Sequence, residues 1–169
     1  MSLVVLLGGA RSGKSQLAQR LAGESATLIA TAAALDEEMA ERIRRHRAER
    51  PAGWTTVEET LDVGGALAAV GPDRPVVVDC LSLWAANLLE AGWEDAAVER
   101  EAETVAAAAA ARPGTTIAVS NEVGLGVVPV SALGRRYRDV LGRVNASWAD
   151  AADRALLVVA GRTLELDRA

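Results

Sequence analysis

The sequence predicts an α/β fold on a largely parallel sheet, and three observations carry that reading. Short apolar, β-branched runs alternate with helical stretches along the chain. Two of these runs, Val76-Val77-Val78 and Leu156-Leu157-Val158-Val159, are apolar at every position, as strands covered on both faces are. The first run, Leu3-Val4-Val5-Leu6-Leu7, has no basic segment before it and passes straight into a glycine loop. That context marks a first buried strand and argues against a secretory leader.

Taken in order, strands are expected over residues 3–7, 27–31, 75–79, 115–120 and 155–160. The tail, residues 163–166, follows Gly161-Arg162 and is expected to return as a hairpin. Residues 36–50 predict a helix: Asp36 opens it, Glu37 and Glu38 fall in its first turn, and it must end before Pro51. Met39, Ile43, His46 and Arg50 share one face of it, with Arg44, Arg45 and Arg47 to the sides. Residues 82–89 read as a further helix, and the alanine run 106–111 is a strong helix former.

With 169 residues the chain is long enough for one hydrophobic core and short for two, so a single nucleotide-binding catalytic domain over residues 1–169 is expected. The apolar fraction is 50%, but a pure apolar stretch such as 105–111 falls far short of the roughly 20 residues of a membrane span. A soluble, cytoplasmic protein is expected, with no membrane span. The single cysteine, Cys80, cannot form an internal disulfide, which suits a reducing compartment. A net charge of -5 opposes general nucleic-acid binding. Phe is absent, so stacking platforms for single strands are lacking too. A small anionic ligand fits better.

The chain has one lysine, Lys14; every other member of its eighteen Lys and Arg is arginine. A compact ammonium on a flexible stem fits between phosphates where a planar guanidinium does not. Lys14 closes the motif Gly8-x-x-x-x-Gly13-Lys14-Ser15, whose intervening residues are Gly9, Ala10, Arg11 and Ser12. Glycines there let backbone amides turn toward a phosphate, and the following helix presents its positive end. In such a loop the lysine bridges the outer phosphates and the Ser15 hydroxyl holds magnesium. A chance glycine-rich turn would leave the lysine unexplained. Asp79, ending the apolar run 76–78, is the candidate acid to complete the Mg2+ site. The competing role, N-cap of the helix 82–89, is one that Ser82 fills as well. Cys80 reads as a small buried hydrophobe.

His46 is the chain's single histidine. A lone histidine on an apolar stripe is more often packed than catalytic. Its neighbours Arg42, Arg45, Arg47 and Arg50 favour a neutral, nucleophilic imidazole and attract polyphosphate. A neutral imidazole can displace pyrophosphate from a nucleoside triphosphate and hold the nucleotide as a phosphoramidate. The residues alone leave both roles open. The loop 120–129, Ser-Asn-Glu-Val-Gly-Leu-Gly-Val-Val-Pro, leaves a buried strand at the end where parallel sheets bind ligands. Asn121 and Glu122 either bind substrate or orient water there, or cap the loop backbone. Arg135, Arg136 and Arg138 are a solvated face or a second anion site.

Five segments occur in order: Gly-Gly-Ala-Arg-Ser-Gly-Lys-Ser at 8–15; Arg42-Ile43-x-x-His46-Arg47-x-x-Arg50-Pro51-x-x-Trp54 with Glu58; Val78-Asp79-Cys80-Leu81-x-x-Trp84-x-x-Asn87-Leu88; Ser120-Asn121-Glu122-Val123-Gly124-x-Gly126-x-Val128-Pro129; and Arg135-x-Tyr137-Arg138-Asp139. With them the chain resembles, over residues 3–166, the bifunctional adenosylcobinamide kinase / adenosylcobinamide-phosphate guanylyltransferase family of cobalamin biosynthesis. The fold expected is therefore P-loop NTPase-like (RecA-like), a mostly parallel sheet with flanking helices and a C-terminal hairpin. The resemblance implies phosphorylation of adenosylcobinamide by ATP or GTP, then GMP transfer from GTP to adenosylcobinamide phosphate. It implies that His46 is guanylylated and that Gly8 to Ser15, Thr31, Ala32, Ala33, Arg47, Ala48, Glu49, Arg50, Glu58 and Asp79 contact nucleotide. A homo-oligomer, trimeric in the best-known form, is implied as well. Two positions depart from the family pattern: Ala146 follows Asn145 where Gln is usual, and the end lacks the usual final lysine. Two rivals stand beside this reading: a P-loop kinase in which His46 only packs, and a regulatory nucleotide-binding protein. The helix 36–50 is expected to swing inward on GTP binding, shortening the distance from His46 to the phosphate loop.

Overall fold

Five consecutive apolar residues can be buried only by a strand covered on both faces, and Leu3–Leu7 forms such a strand, β1, with every residue buried. The computed structural model describes residues 3–32 and 51–168. Its further strands are β2 (Thr27–Ala30), β3 (Thr55–Glu58), β4 (Val76–Asp79), β5 (Thr116–Val119), β6 (Arg154–Val159) and β7 (Arg162–Leu166). The helices, among the described residues, are α1 (Lys14–Ala22), α2 (Val63–Ala69), α3 (Leu81–Glu90), α4 (Asp95–Ala111) and α5 (Ala132–Ala151). The strands form one sheet in the order β3-β2-β4-β5-β1-β6-β7. All neighbours are parallel except β7, which returns antiparallel along β6 through Ala160 and Gly161, both at positive φ. This is an α/β, P-loop NTPase-like architecture with a C-terminal hairpin.

Alternation along β1 builds two cores. Leu3, Val5 and Leu7 face α2, α3, α4 and α5, where Trp84 and Trp148 are fully buried. Val4 and Leu6 face α1 through Ala18 and Ala22, together with Leu28, Val77, Ile117 and Leu156. Each large side chain in these layers contributes about 1.5–3 kcal/mol by leaving water. In α4 the buried positions Val98, Ala102, Val105, Ala106 and Ala109 follow helical spacing. Their small side chains allow a close approach to α5. No described helix is long and apolar enough to cross a membrane.

The expected strands appear within a residue or so of their expected ends. β3 was not expected. All four of its residues are exposed and it pairs only with β2, at the sheet edge, so no apolar alternation betrays it. Its one signal is the β-branched run Thr55-Thr56-Val57. The expected helix 36–50, with its Met39, Ile43 and His46 face, lies outside the described residues.

One buried cation joins three segments. Arg112, just past α4, donates from Nη1 to the carbonyls of Leu67 and Val70, and from Nη2 to those of Gly71 and Arg74. It thereby satisfies the end of α2 and the turn into β4, groups that a helix C-terminus leaves orphaned. Burial lowers its pKa from the ordinary arginine value, yet the planar fork stays charged and matches several acceptors at once. Arg112→Ala is expected to destabilise the chain by about 3 kcal/mol, and Arg112→Lys to restore less than half of that. Urea unfolding of the two variants checks both.

Candidate nucleotide site

β1 ends at Leu7, and the chain must turn sharply before α1 begins at Lys14. Gly8 makes the first bend at φ 153°, where a Cβ would lie 2.3 Å from the Val158 carbonyl oxygen. Gly13, at φ 104°, is the N-cap of α1. Neither position tolerates a side chain without displacing backbone. The β6–β7 turn braces the loop from below, where Gly161 N donates to the Ser12 carbonyl at 2.8 Å. No side chain caps α1 and no acid lies in its first turn. Its amides and positive end therefore remain available to an anion.

Lys14 is only 7% exposed. Its ammonium donates to Gly8 O at 2.9 Å, Gly9 O at 2.7 Å and Ser12 Oγ at 3.5 Å, using all three of its protons. Burial lowers its pKa below the ordinary lysine value, against the opposing pull of Asp79 and Cys80. The lysine is thus desolvated and held by loop oxygens at the spot where phosphate oxygens would compete for it.

Asp79 sits at the end of β4, one strand removed from β1 across β5. Ser15 Oγ donates to its Oδ2 at 3.2 Å, joining the first turn of α1 to β4. A cavity of about 20 Å³ opens beside this pair, bordered also by Gln19 and Trp54. Hard oxygen donors with room for a water-sized species fit magnesium, which prefers few protein ligands and keeps several waters. The N-cap of α3 falls on Cys80, whose side chain makes no capping bond. The Cys80 thiol is buried 2.9 Å from Ser82 Oγ, and burial pushes its pKa up. A thiol so placed is a poor nucleophile, in line with its reading as a small hydrophobe.

Thr31 follows β2 and is fully buried. Its Oγ1 accepts from Cys80 N at 2.8 Å and donates to Cys80 O at 2.7 Å, and its own amide donates to Asp79 O. The Asp79–Cys80 peptide bond is cis. Asn87 of α3 donates from Nδ2 to Thr31 O at 2.9 Å and Thr60 O at 3.0 Å, pinning the exits of β2 and β3 together. Glu58 ends β3 in register with Ala30, which is itself in register with Asp79. At about 4.8 Å per strand, Glu58 and Asp79 are roughly 10 Å apart along the carboxyl edge of the sheet. Gly8 to Ser15, Thr31, Ala32, Glu58 and Asp79 are therefore brought to one edge. Ala33, His46, Arg47, Ala48, Glu49 and Arg50 lie outside the described residues, as does the distance from His46 to the phosphate loop.

Glu122 Oε1 accepts from Gly124 N at 2.7 Å, so this side chain caps its own loop. Arg135 donates to the carbonyls of Pro129 and Val130, Arg136 pairs with Asp95, and Arg138 with Asp139. Those three arginines form a solvated, internally paired face. Asn145, to which the sequence reading assigned no role, is 4% exposed beneath the same loop. It accepts from Ser120 Oγ at 2.6 Å and donates to Asn121 O at 3.1 Å. Its signal was a polar residue on the buried stripe Leu141, Val144, Trp148 of α5.

A glycine-lined phosphate loop, a desolvated lysine and a Ser–Asp pair at the carboxyl edge of a parallel sheet define a P-loop protein built to bind nucleotide. Comparison with known sequences narrows this class. The pattern of the cobinamide kinase / cobinamide phosphate guanyltransferase family matches residues 4–166, and the chain belongs to that family. It is 45% identical over 166 residues to the bifunctional adenosylcobalamin biosynthesis protein CobP of Pseudomonas aeruginosa, covering 96% of this chain and 95% of the relative. It is 40% identical over 174 residues to the bifunctional adenosylcobalamin biosynthesis protein CobU of Salmonella typhimurium, covering 94% of this chain and 96% of that one. The CobU protein of Escherichia coli is similar to the same degree.

Because burial of the Lys14 ammonium opposes folding, Lys14→Met is expected to fold with stability equal to or above that of the parent. Its nucleotide affinity should fall by about 100-fold or more. The lowered pKa has a further sign. Just below the ordinary lysine value of 10.5 the unfolded chain binds more protons than the folded one. The parent therefore gains stability as pH rises through this window, and Lys14→Met does not. Denaturant unfolding across that alkaline range, with titration of a fluorescent GTP analogue, measures both effects.

Proposed function

We propose that this chain carries out both reactions of its family in two consecutive steps. In the first, the aminopropanol hydroxyl of adenosylcobinamide attacks the γ-phosphorus of ATP or GTP, and the nucleoside diphosphate leaves. In the second, an imidazole nitrogen of His46 attacks the α-phosphorus of GTP and pyrophosphate leaves. A phosphate oxygen of adenosylcobinamide phosphate then displaces the histidine, giving adenosyl-GDP-cobinamide and the free imidazole. The observation that carries the nucleotide half is the Lys14 cradle beside the Ser15–Asp79 pair.

Within the site, the loop amides and Lys14 stabilise charge on the transferring group because they are already oriented before the reaction. Ser15 and Asp79 would hold Mg2+, which supplies neutralisation of phosphate charge when bound. Thr31 and Asn87 keep Asp79 and the β2 exit in place. Glu58, Ala32 and the outlying Ala33, Arg47, Ala48, Glu49 and Arg50 contribute further nucleotide contacts on this reading. The buried lone thiol Cys80 suits the reducing cytoplasm. A homo-oligomer, the trimer that the resemblance implies, completes the reading.

Incubation with GTP labelled at the α-phosphate should leave acid-labile, base-stable label on the protein, and His46→Ala should abolish it. Label retained by that variant would remove His46 from the mechanism. Label never formed, alongside intact phosphorylation of adenosylcobinamide, would reduce the chain to a kinase. Asp79→Asn should lower kcat of the phosphorylation by roughly 100-fold with little change in the affinity for adenosylcobinamide; steady-state kinetics over a magnesium titration decides it.

A further inference from the structure

The nucleotide site accounts for the polar edge of the sheet but leaves a run of exposed apolar side chains among the described residues unexplained. Residues 123–134 carry no charged side chain, in a chain where 24% of residues are charged. Within them Leu125 is 82% exposed, Val127 95% and Val130 99%, with Val128 and Leu133 also outside the core. Monomers rarely leave such contiguous apolar surface in water without a use for it.

This surface is held in place at both ends. At its start, Glu122 N donates to Gly8 O at 3.1 Å, the same carbonyl that receives the Lys14 ammonium, and Asn145 holds Asn121 O. At its end, Arg135 donates to Pro129 O and Val130 O, and Ser131 caps α5 by accepting from Gly134 N. A mostly apolar cavity of about 320 Å³ adjoins it, lined by Ala86, Leu89, Leu133 and Tyr137, with Glu90 the one charged residue of its lining. Tyr137 OH donates to Ser82 O, and at 1.5 Å per residue α3 carries the cavity wall from there to Leu89 in about 10 Å. The surface therefore begins within one hydrogen bond of the phosphate loop and extends away from it along α3 and α5.

We propose that residues 123–133 and the adjoining cavity form the docking surface for the acceptor, a corrinoid. The inference rests on the two-step reading above. A corrin is a broad macrocycle with apolar faces and uncharged amide arms, and it finds no complement in the cationic, amide-lined nucleotide site. The loop surface beside that site, uncharged over residues 123–134, matches it in polarity, and the mostly apolar cavity lies in the size range of small-molecule sites. Because the loop base shares Gly8 O with Lys14, a corrinoid seated there presents its side arm toward the transferring phosphoryl group. The pinned loop ends mean that little ordering is needed on binding.

The test uses the full chain carrying Leu125→Ser, Val127→Ser and Val130→Ser together. These are surface changes that leave both cores intact. The KM for adenosylcobinamide should rise at least roughly tenfold. kcat, the affinity for a fluorescent GTP analogue and the mass from light scattering should stay unchanged. An unchanged KM overturns the proposal, and so does a lowered mass, which would assign the surface to a second copy of the chain. A parent chain that binds adenosylcobinamide no better than its variant overturns the docking surface alone. A parent chain that neither binds nor phosphorylates it overturns the functional reading as well.

Discussion

Burying an ammonium group in a loop costs free energy, and the geometry of the phosphate loop follows from how that cost is offset. Lys14 can be buried only because Gly8 and Gly9 turn their carbonyls inward to receive it. Gly8 can do so only because it lacks a Cβ, which would otherwise strike the Val158 carbonyl. The loop is thus shaped by β6 on one side and by its own lysine on the other. Once the Gly8 carbonyl points inward it becomes a junction, because the Glu122 amide reaches the same oxygen from the end of β5. A nucleotide that draws Lys14 away from Gly8 changes the partner set of the residue on which the 121–130 loop is anchored.

The sheet sets the remaining distances. Ala30, Asp79, Val119 and Leu6 lie in register across β2, β4, β5 and β1, so the functional groups that follow them emerge along one line. Ser15 then reaches Asp79 from α1 without any long loop. Such a site depends little on loop conformation and much on strand pairing, which the two cores hold firmly. Buried polar groups act as rivets between these layers: Thr31 on Cys80, Asn87 on Thr31 and Thr60, Asn145 on Ser120 and Asn121. Each makes at least two hydrogen bonds, and a buried polar group that is so paired adds order instead of instability.

Those rivets mark the limit of what could be read before the fold was known. Gly8, Gly13, Lys14 and Ser15 were legible because their roles depend on spacing within eight residues. Asp79 was legible from its place at the end of an apolar run. Thr31 and Cys80 are 49 residues apart, Asn87 and Thr31 56, and Asn145 and Asn121 24. No local pattern pairs such residues; only strand order does. β3 escaped for a related reason, since an exposed edge strand leaves no burial imprint on its residues. Conversely, Arg135, Arg136 and Arg138 left a solvated face and an anion site both open, because charge is visible in a sequence while its internal pairing is not.

The two sides of the site also divide by chemistry in a way that suits successive reactions. On the proposed reading a polyphosphate meets loop amides, one lysine and the hard oxygen donors of Ser15 and Asp79. Such a surface suits a broad apolar macrocycle poorly, since its polar groups would lose their partners without replacement. An apolar surface rejects polyphosphate, because charge cannot be desolvated there unpaired. Placing the two surfaces against each other at Gly8 sorts donor from acceptor by polarity alone, and it fixes their meeting point at the loop that carries Lys14. In the two proposed steps the acceptor is the same corrinoid, its arm ending in a hydroxyl in the first and in a phosphate in the second.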